Sequence, residues 1–334
     1  MEHVMTRTIP NTLSTPFKRY FLRWETFLLL VTVLVFFTNT QISPYFLDPW
    51  SLSDMTFNFS EKAIIALPMA MLIICREIDL SVASTIALSS VCMGLAAQAG
   101  FGIEVIFALS IIVGIGCGLF NGFIVTWFNI PSIVVTIGTM SLFRGITYVI
   151  LGDTVISDYP PEFAFFGQGY VAWVISFEFT LFMILALVFY VLLHHTNFGR
   201  RTYAIGNNPV GALYSGIKVN KHKVVVFALV GAMSGLAAIL LTSRLGSTRP
   251  GIAFAWELQI VTMVVLGGVS ILGGSGTILG VVIAVFLMGL VTFGLGLINV
   301  PGIVMNVIIG AMLITVISIP AVLARFRERR RRSV

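Results

Sequence analysis

Four stretches of this sequence carry residues able to do more than pack. Arg76-Glu-Ile-Asp-Leu-Ser-Val82 places three charges directly between two long apolar runs. Charges within or beside such runs are costly and usually tied to function. Glu77 and Asp79 are therefore candidates for a translocation path or a gate, and an ion pair fixing the two runs explains them equally well. Arg144 lies well inside another apolar run; its burial demands a partner, a carbonyl cage or a water-filled path. Asn121, in a third run, is either pore-lining or interhelical glue. The segment Leu266–Gly280 holds six glycines in fifteen residues. Its Gly267, Gly268, Gly273, Gly274 and Gly276 permit either close helix packing or a broken helix lining a cavity. As a nucleotide loop it fails, because no Gly-Lys-Ser/Thr follows and no soluble strand precedes it.

Other chemistry is excluded in turn. No Ser/His/Asp set or metal-ligand cluster emerges. Cys75, Cys92 and Cys117 all fall in apolar runs without C-x-x-C spacing, which argues against disulfides and metal sites. Glu178 is expected to reach the membrane interface, and His194 and His195 to sit at a helix C-terminus. The sequence does not read as an enzyme.

The longest polar interruption before the C-terminal tail, residues 195–223, carries its own helix signal. Asn208 is a good N-cap, Pro209 suits the first turn, and Gly216 suits the left-handed position after the last. Val210, Ala212, Leu213 and Tyr214, with Ser215 closing the turn, offer an exposed apolar surface. A helix this short is unstable alone in water. It is either a connector lying on the membrane surface or a coupling helix seated in a cleft of a cytosolic partner.

The elements that position these residues follow from hydropathy. Of 334 residues, 57% are hydrophobic and 10% charged, against about 25% charged in soluble domains. The chain reads as an all-α polytopic membrane protein with about ten transmembrane helices. These are 25–41, 55–75 (with Pro68 as a kink), 80–98, 102–128, 132–151, 177–194, 224–243, 256–272, 277–297 and 302–323, each near the 20 or so residues that cross a bilayer. Residues 1–24 form an N-terminal tail, 25–323 the transmembrane domain, and 324–334 a basic tail with six arginines. The net charge of +6 would suggest nucleic acid in a soluble protein. Here the Lys and Arg gather in the two tails and the 195–223 loop, which the positive-inside rule places, with both termini, in the cytoplasm. The breaks after the second and eighth spans echo each other, as in transporters built from two related halves.

In this order the motifs resemble the permease subunits of bacterial ABC importers for monosaccharides, the ribose/xylose/galactose class with its rhamnose and autoinducer-2 branches. Ile78-Asp-Leu-Ser-Val82, Pro131-Ser-Ile-Val-Val-Thr-Ile-Gly-Thr-Met140 with Arg144-Gly145, Phe198-Gly-Arg200, Ala204-Ile-Gly206 with Asn208, Ser215-Gly-Ile217 with Val219, and the glycine run carry the likeness. Arg76-Glu77 stands where the family has a small, Gly-rich pair, and Ala83 where it has glycine. Asn-Pro-Val-Gly replaces an acidic, alanine-rich start to the coupling segment. The resemblance implies a bacterial inner-membrane permease importing a monosaccharide, with rhamnose the best guess from Arg76–Ala83. It implies a second permease copy or paralogue, a periplasmic sugar-binding protein and a cytosolic ATPase. ATP and Mg would sit on that ATPase, with no cofactor on this chain. Asn208–Gly216 would be its grip. The alternative is an ion- or proton-coupled secondary transporter, with Arg144 and the Glu77/Asp79 cluster as coupling site.

Overall fold

Long apolar runs with no internal water-facing stripe can satisfy their backbone only as helices inside a bilayer, and the fold follows. The computed structural model describes residues 24–315 and Ser318. The expected tails at 1–23 and 324–334, and the end of the tenth span, lie outside the described residues. Among the described residues seven helices are long and apolar enough to cross a membrane: α1 (Trp24–Ile42), α2 (Pro49–Ile74), α4 (Ile103–Phe128), α5 (Ser132–Leu151), α7 (Phe177–His195), α10 (Val219–Leu245) and α12 (Ile278–Leu297). Three shorter apolar helices, α3 (Val82–Gln98), α11 (Trp256–Leu266) and α13 (Gly302–Thr315), fill the remaining expected spans. Ahead of α7 a 3₁₀ turn, the short α6 (Phe165–Gln168) and a two-strand hairpin fold the acidic loop.

Helix α2 is the axis. Nearly every side chain from Phe59 to Ile74 is buried, packed by α10, α7, α12 and α11. Pro68 stays inside the helix. The broadest interface joins α4 to α10. There Gly114 and Gly118 face Gly231 and Gly235, and a Cβ at any of the four would overlap backbone of the opposing helix. Two small-xxx-small pairs set this close crossing, where apolar side chains alone gain nothing over lipid.

The sequence reading needs correction at four places. Helix α2 begins at Pro49 rather than Met55. Helix α10 begins at Val219 rather than Val224, and α11 ends at Leu266 rather than Leu272. The 195–223 loop holds two helices, α8 (Asn197–Asn207) and α9 (Pro209–Tyr214), where one was expected. The extra helix is capped by Thr196, whose Oγ1 accepts from the Phe198 and Gly199 amides.

Candidate functional site: a junction between a docking helix and two broken helices

The site starts where α2 ends. Glu77 N–H donates to Leu72 O and Arg76 N–H to Ile73 O, a Schellman closure that needs a left-handed residue at Arg76. Its φ is 66°, a conformation that costs a non-glycine residue about 1 kcal/mol. The guanidinium is used in return. Nε donates to Gly206 O at 2.6 Å and Nη2 to Asn207 O at 2.9 Å, capping the negative end of α8. Here the Gly-rich pair of the resembled family would satisfy the turn, while this chain's arginine ties it to α8.

The break then climbs toward α3. Glu77 pairs with Lys223 at the start of α10. Ser132 Oγ accepts from Ile78 N–H at 3.0 Å. Asp79 Oδ1 accepts from Ser81 N–H and Oγ at 2.8 and 2.7 Å. Asn121 Nδ2 donates to Ser81 Oγ at 2.8 Å and lies 3.3 Å from Asp79 Oδ2. Asn121 and Asp79 are both buried. In this chain Asn121 therefore joins α4 to the break, which is the interhelical reading of that residue.

The glycine run forms the second break, from Gly267 to Thr277. Gly268, Gly273, Gly274 and Gly276 all have positive φ, and Gly267 lies against Val281 of α12. Partners reach its backbone directly. Trp24 Nε1 donates to Leu266 O, Tyr203 Oη to Gly276 O at 2.6 Å, and Asn207 Nδ2 to Gly274 O at 3.2 Å. Burial pushes the Tyr203 phenol up to about 12, so it stays a donor at neutral pH. The breaks also touch: Gly274 N–H donates to Ile74 O at 2.9 Å. Gly206 of α8 is wedged between them, and a Cβ there would overlap the Ile74 carbonyl and the Gly274 amide.

Two residues beyond this wedge, Asn208 opens α9 by accepting from Gly211 N–H at 2.9 Å. Gly216, at φ 82°, closes it; Gly216 N–H donates to Leu213 O and Ile217 N–H to Ala212 O. Pro209 takes the first helical position and Ser215 the C-cap. Val210, Leu213 and Tyr214 are 62%, 60% and 87% exposed. Ala212 turns inward against Cys75, Ile205 and Val219 instead, so it drops out of the expected exposed face. Beside α9 lies a groove of about 490 Å³ whose walls include Val210, Leu213, Lys218 and Lys221.

Arg144 stands apart from this junction. Its Nη1 donates to Pro250 O and Ile252 O at 2.7 and 2.8 Å, and Nη2 to Ala83 O at 3.2 Å. This is a carbonyl cage, one of the three environments its burial demands. It shares no hydrogen-bond or ion-pair partner with Glu77 or Asp79 among the described residues. Sequence reasoning missed a second buried pair. Arg244, in the last turn of α10, meets Glu61 of α2 with both Nε–Oε1 and Nη2–Oε2 at 2.9 Å. Glu178, expected at the interface, is fully buried, and neither carboxylate oxygen has a hydrogen-bond partner among the described residues. Among the described residues no three His, Cys, Asp or Glu side chains converge on a metal-sized site.

Comparison with known proteins places this arrangement. Residues 51–317 match the family described as branched-chain amino acid transport system / permease component. The chain is 35% identical over 300 residues to the autoinducer 2 import system permease protein LsrD of Escherichia coli (strain K12), covering 88% of this chain and 91% of that one. The same figures hold for the LsrD proteins of Shigella flexneri and of Escherichia coli O157:H7. No solved structure matches.

Proposed function

The chain belongs to the branched-chain amino acid transport system / permease component family, and from that premise we propose that it forms the membrane path of an ATP-driven importer for a small sugar-like solute of the autoinducer-2 type. It is a multi-pass inner-membrane permease, consistent with its ten apolar helices. The relatives' name favours the autoinducer-2 branch over the rhamnose branch that Arg76–Ala83 suggested. A periplasmic binding protein delivers the solute, a second permease completes the path, and a cytosolic ATPase holds ATP and Mg.

The observation that carries this reading is α9. It is a short helix capped at both ends, with Val210, Leu213 and Tyr214 exposed. Its preceding residue is hydrogen-bonded through Asn207 and Arg76 to both broken helices. A surface connector needs no such ties, whereas a lever does. Closure of the ATPases would displace α9, and the displacement would reach both breaks through Gly206 and Asn207.

The test is to place charge on the bare face. Leu213→Asp and Tyr214→Asp should abolish co-purification of the ATPase and ATP-driven uptake of autoinducer 2, while the permease still inserts. Unchanged assembly and uptake would overturn the reading. Uptake driven by a proton gradient in vesicles holding this chain alone would favour a secondary transporter. Among the described residues no contact supports that alternative, because Glu77 is paired to Lys223 and Arg144 is held by carbonyls.

A further inference from the structure

A polar face at mid-membrane depth lies outside the coupling junction. Helix α5 starts at the inner side with Ser132, and Arg144 stands about 18 Å of helix rise above it. Helix α11 has eleven residues, a rise of about 16 Å, and its inner end is fixed by the Trp24–Leu266 bond. Its first residue, Trp256, is therefore also near the middle of the bilayer, with the Lys62 ammonium of α2 4.6 Å from its ring centroid. Between the outer end of α10 and Trp256, residues 246–255 descend as non-helical backbone. At such depth irregular backbone is tolerated only where protein buries it or where it borders water.

The protein buries only one side of this segment. Arg144 holds the Pro250 and Ile252 carbonyls from behind. On the open side Phe254 is 78% exposed, between Ala253 and Ala255 at φ 56° and 63°. Glu257 is half-buried in the first turn of α11, and Tyr148, one turn above Arg144 on α5, is 49% exposed. Gln259 donates to Asn306 of α13 at 3.3 Å, on an exposed surface. The lipid-type faces of the molecule look different, with Leu34 and Phe37 exposed on α1 and Leu187 and Val188 on α7. A carboxylate, two amides and a guanidinium at mid-depth would be expensive against hydrocarbon.

We propose that Tyr148, Phe254, Glu257, Gln259 and Asn306 line the solute path, with Arg144 as the positioning residue that sets the 250–252 backbone behind them. The face takes a small hydroxylated solute. Phe254 and Tyr148 offer flat apolar walls, while Glu257 accepts and the two amides both donate and accept hydrogen bonds to hydroxyls. A few separated contacts bind weakly enough for the solute to leave again. The site is half a tube, and the facing permease supplies the other wall.

The inference rests on the permease reading, but its readout requires no transport. Phe254→Cys, Gln259→Cys and Asn306→Cys would be made singly in the complete importer in native membranes. Each is then exposed to a membrane-impermeant charged maleimide, with the parent chain's Cys75, Cys92 and Cys117 setting the background. Leu34→Cys and Leu187→Cys serve as lipid-facing controls. The three path positions should label at least about tenfold faster than the controls, since thiolate chemistry needs water. Labelling as slow as the controls at Gln259→Cys and Asn306→Cys would overturn the proposal, even where Phe254→Cys disturbs its loop. Because the ATPase still co-purifies in that outcome, the failure would belong to the path and not to the permease reading. As a second arm, Gln259→Ala and Asn306→Ala should raise the KM for autoinducer 2 uptake several-fold with ATPase assembly intact; an unchanged KM in both would count against it.

Discussion

The two helix breaks that meet at the end of α8 are built from opposite materials. The first, from Arg76 to Ser81, is held by side chains. Glu77 reaches Lys223, Asp79 reaches Ser81, and Ser132 and Asn121 reach in from α5 and α4. The second, from Gly267 to Thr277, is held through its backbone, which Trp24, Tyr203, Asn207 and Ile74 contact directly. A side-chain joint can be altered one contact at a time. A backbone joint in positive-φ glycines leaves no room for such adjustment, because its partners already occupy the space a Cβ needs. Both joints share one wall, the Gly206–Asn207 end of α8, and α9 starts immediately after it.

The substitution with the largest expected effect strikes that shared wall. Gly206→Leu forces a side chain into the Ile74 carbonyl and the Gly274 amide, moving both breaks together. Overpacking of this kind costs about 3 kcal/mol or more. The variant should lose its thermal transition in detergent and all uptake; a stable, active Gly206→Leu protein would remove the wall from the account. Next comes the contrast between the joints. Gly276 has φ 148°, a region essentially reserved for glycine, so Gly276→Ala should cost about 1–3 kcal/mol. Asp79→Asn keeps the shape and one acceptor for Ser81 while losing the charge, and should cost about 1 kcal/mol. Thermal denaturation of the two side by side checks the order. An Asp79→Asn protein less stable than Gly276→Ala would reverse the contrast.

How much of this was readable beforehand depends on range. The spans were legible because about 20 apolar residues are their own evidence: Ser132–Leu151 was placed to the residue, the starts at Phe177, Trp256 and Gly302 agree, and the remaining starts moved by one to six positions. The caps of α9 were legible because Asn208, Pro209 and Gly216 act on their own neighbours. Ala212 was misplaced because six helical residues are too few to define a face. Helix α8 was missed because its sequence, Asn197-Phe-Gly-Arg-Arg-Thr-Tyr-Ala-Ile-Gly-Asn207, has two glycines and weak helix propensity. Its stability comes from the Thr196 cap and from packing on Leu193 and Ile74. The partners of Arg76, Arg144 and Arg244 lie more than 60 residues away in sequence. Local spacing carries no trace of them; at Arg144 the rule that a buried charge needs compensation left a partner, a carbonyl cage and a water-filled path all open.

The smallest predicted effect is the most discriminating, because it separates strain from attachment at Arg76. Arg76→Ala removes both bonds to α8 and keeps a side chain in the left-handed turn. Arg76→Gly removes the same bonds and releases the turn. The two variants differ only in strain, so the glycine protein should be the more stable by about 1 kcal/mol. Relative to the unaltered protein, Arg76→Gly exchanges strain relief for the lost caps, and its melting temperature should stay within about 2 °C. Coupling should not be so forgiving, because the first break then loses its Arg76 bonds and keeps contact with α8 through packing at Gly206 and at Cys75, beside Ile205 and Thr202. ATP-driven uptake should fall several-fold in Arg76→Gly while ATPase assembly on α9 persists. If uptake held, the Arg76 bonds would not carry the pull from α9, which would travel instead through the Gly274–Ile74 bond and the packing at Gly206 and Cys75.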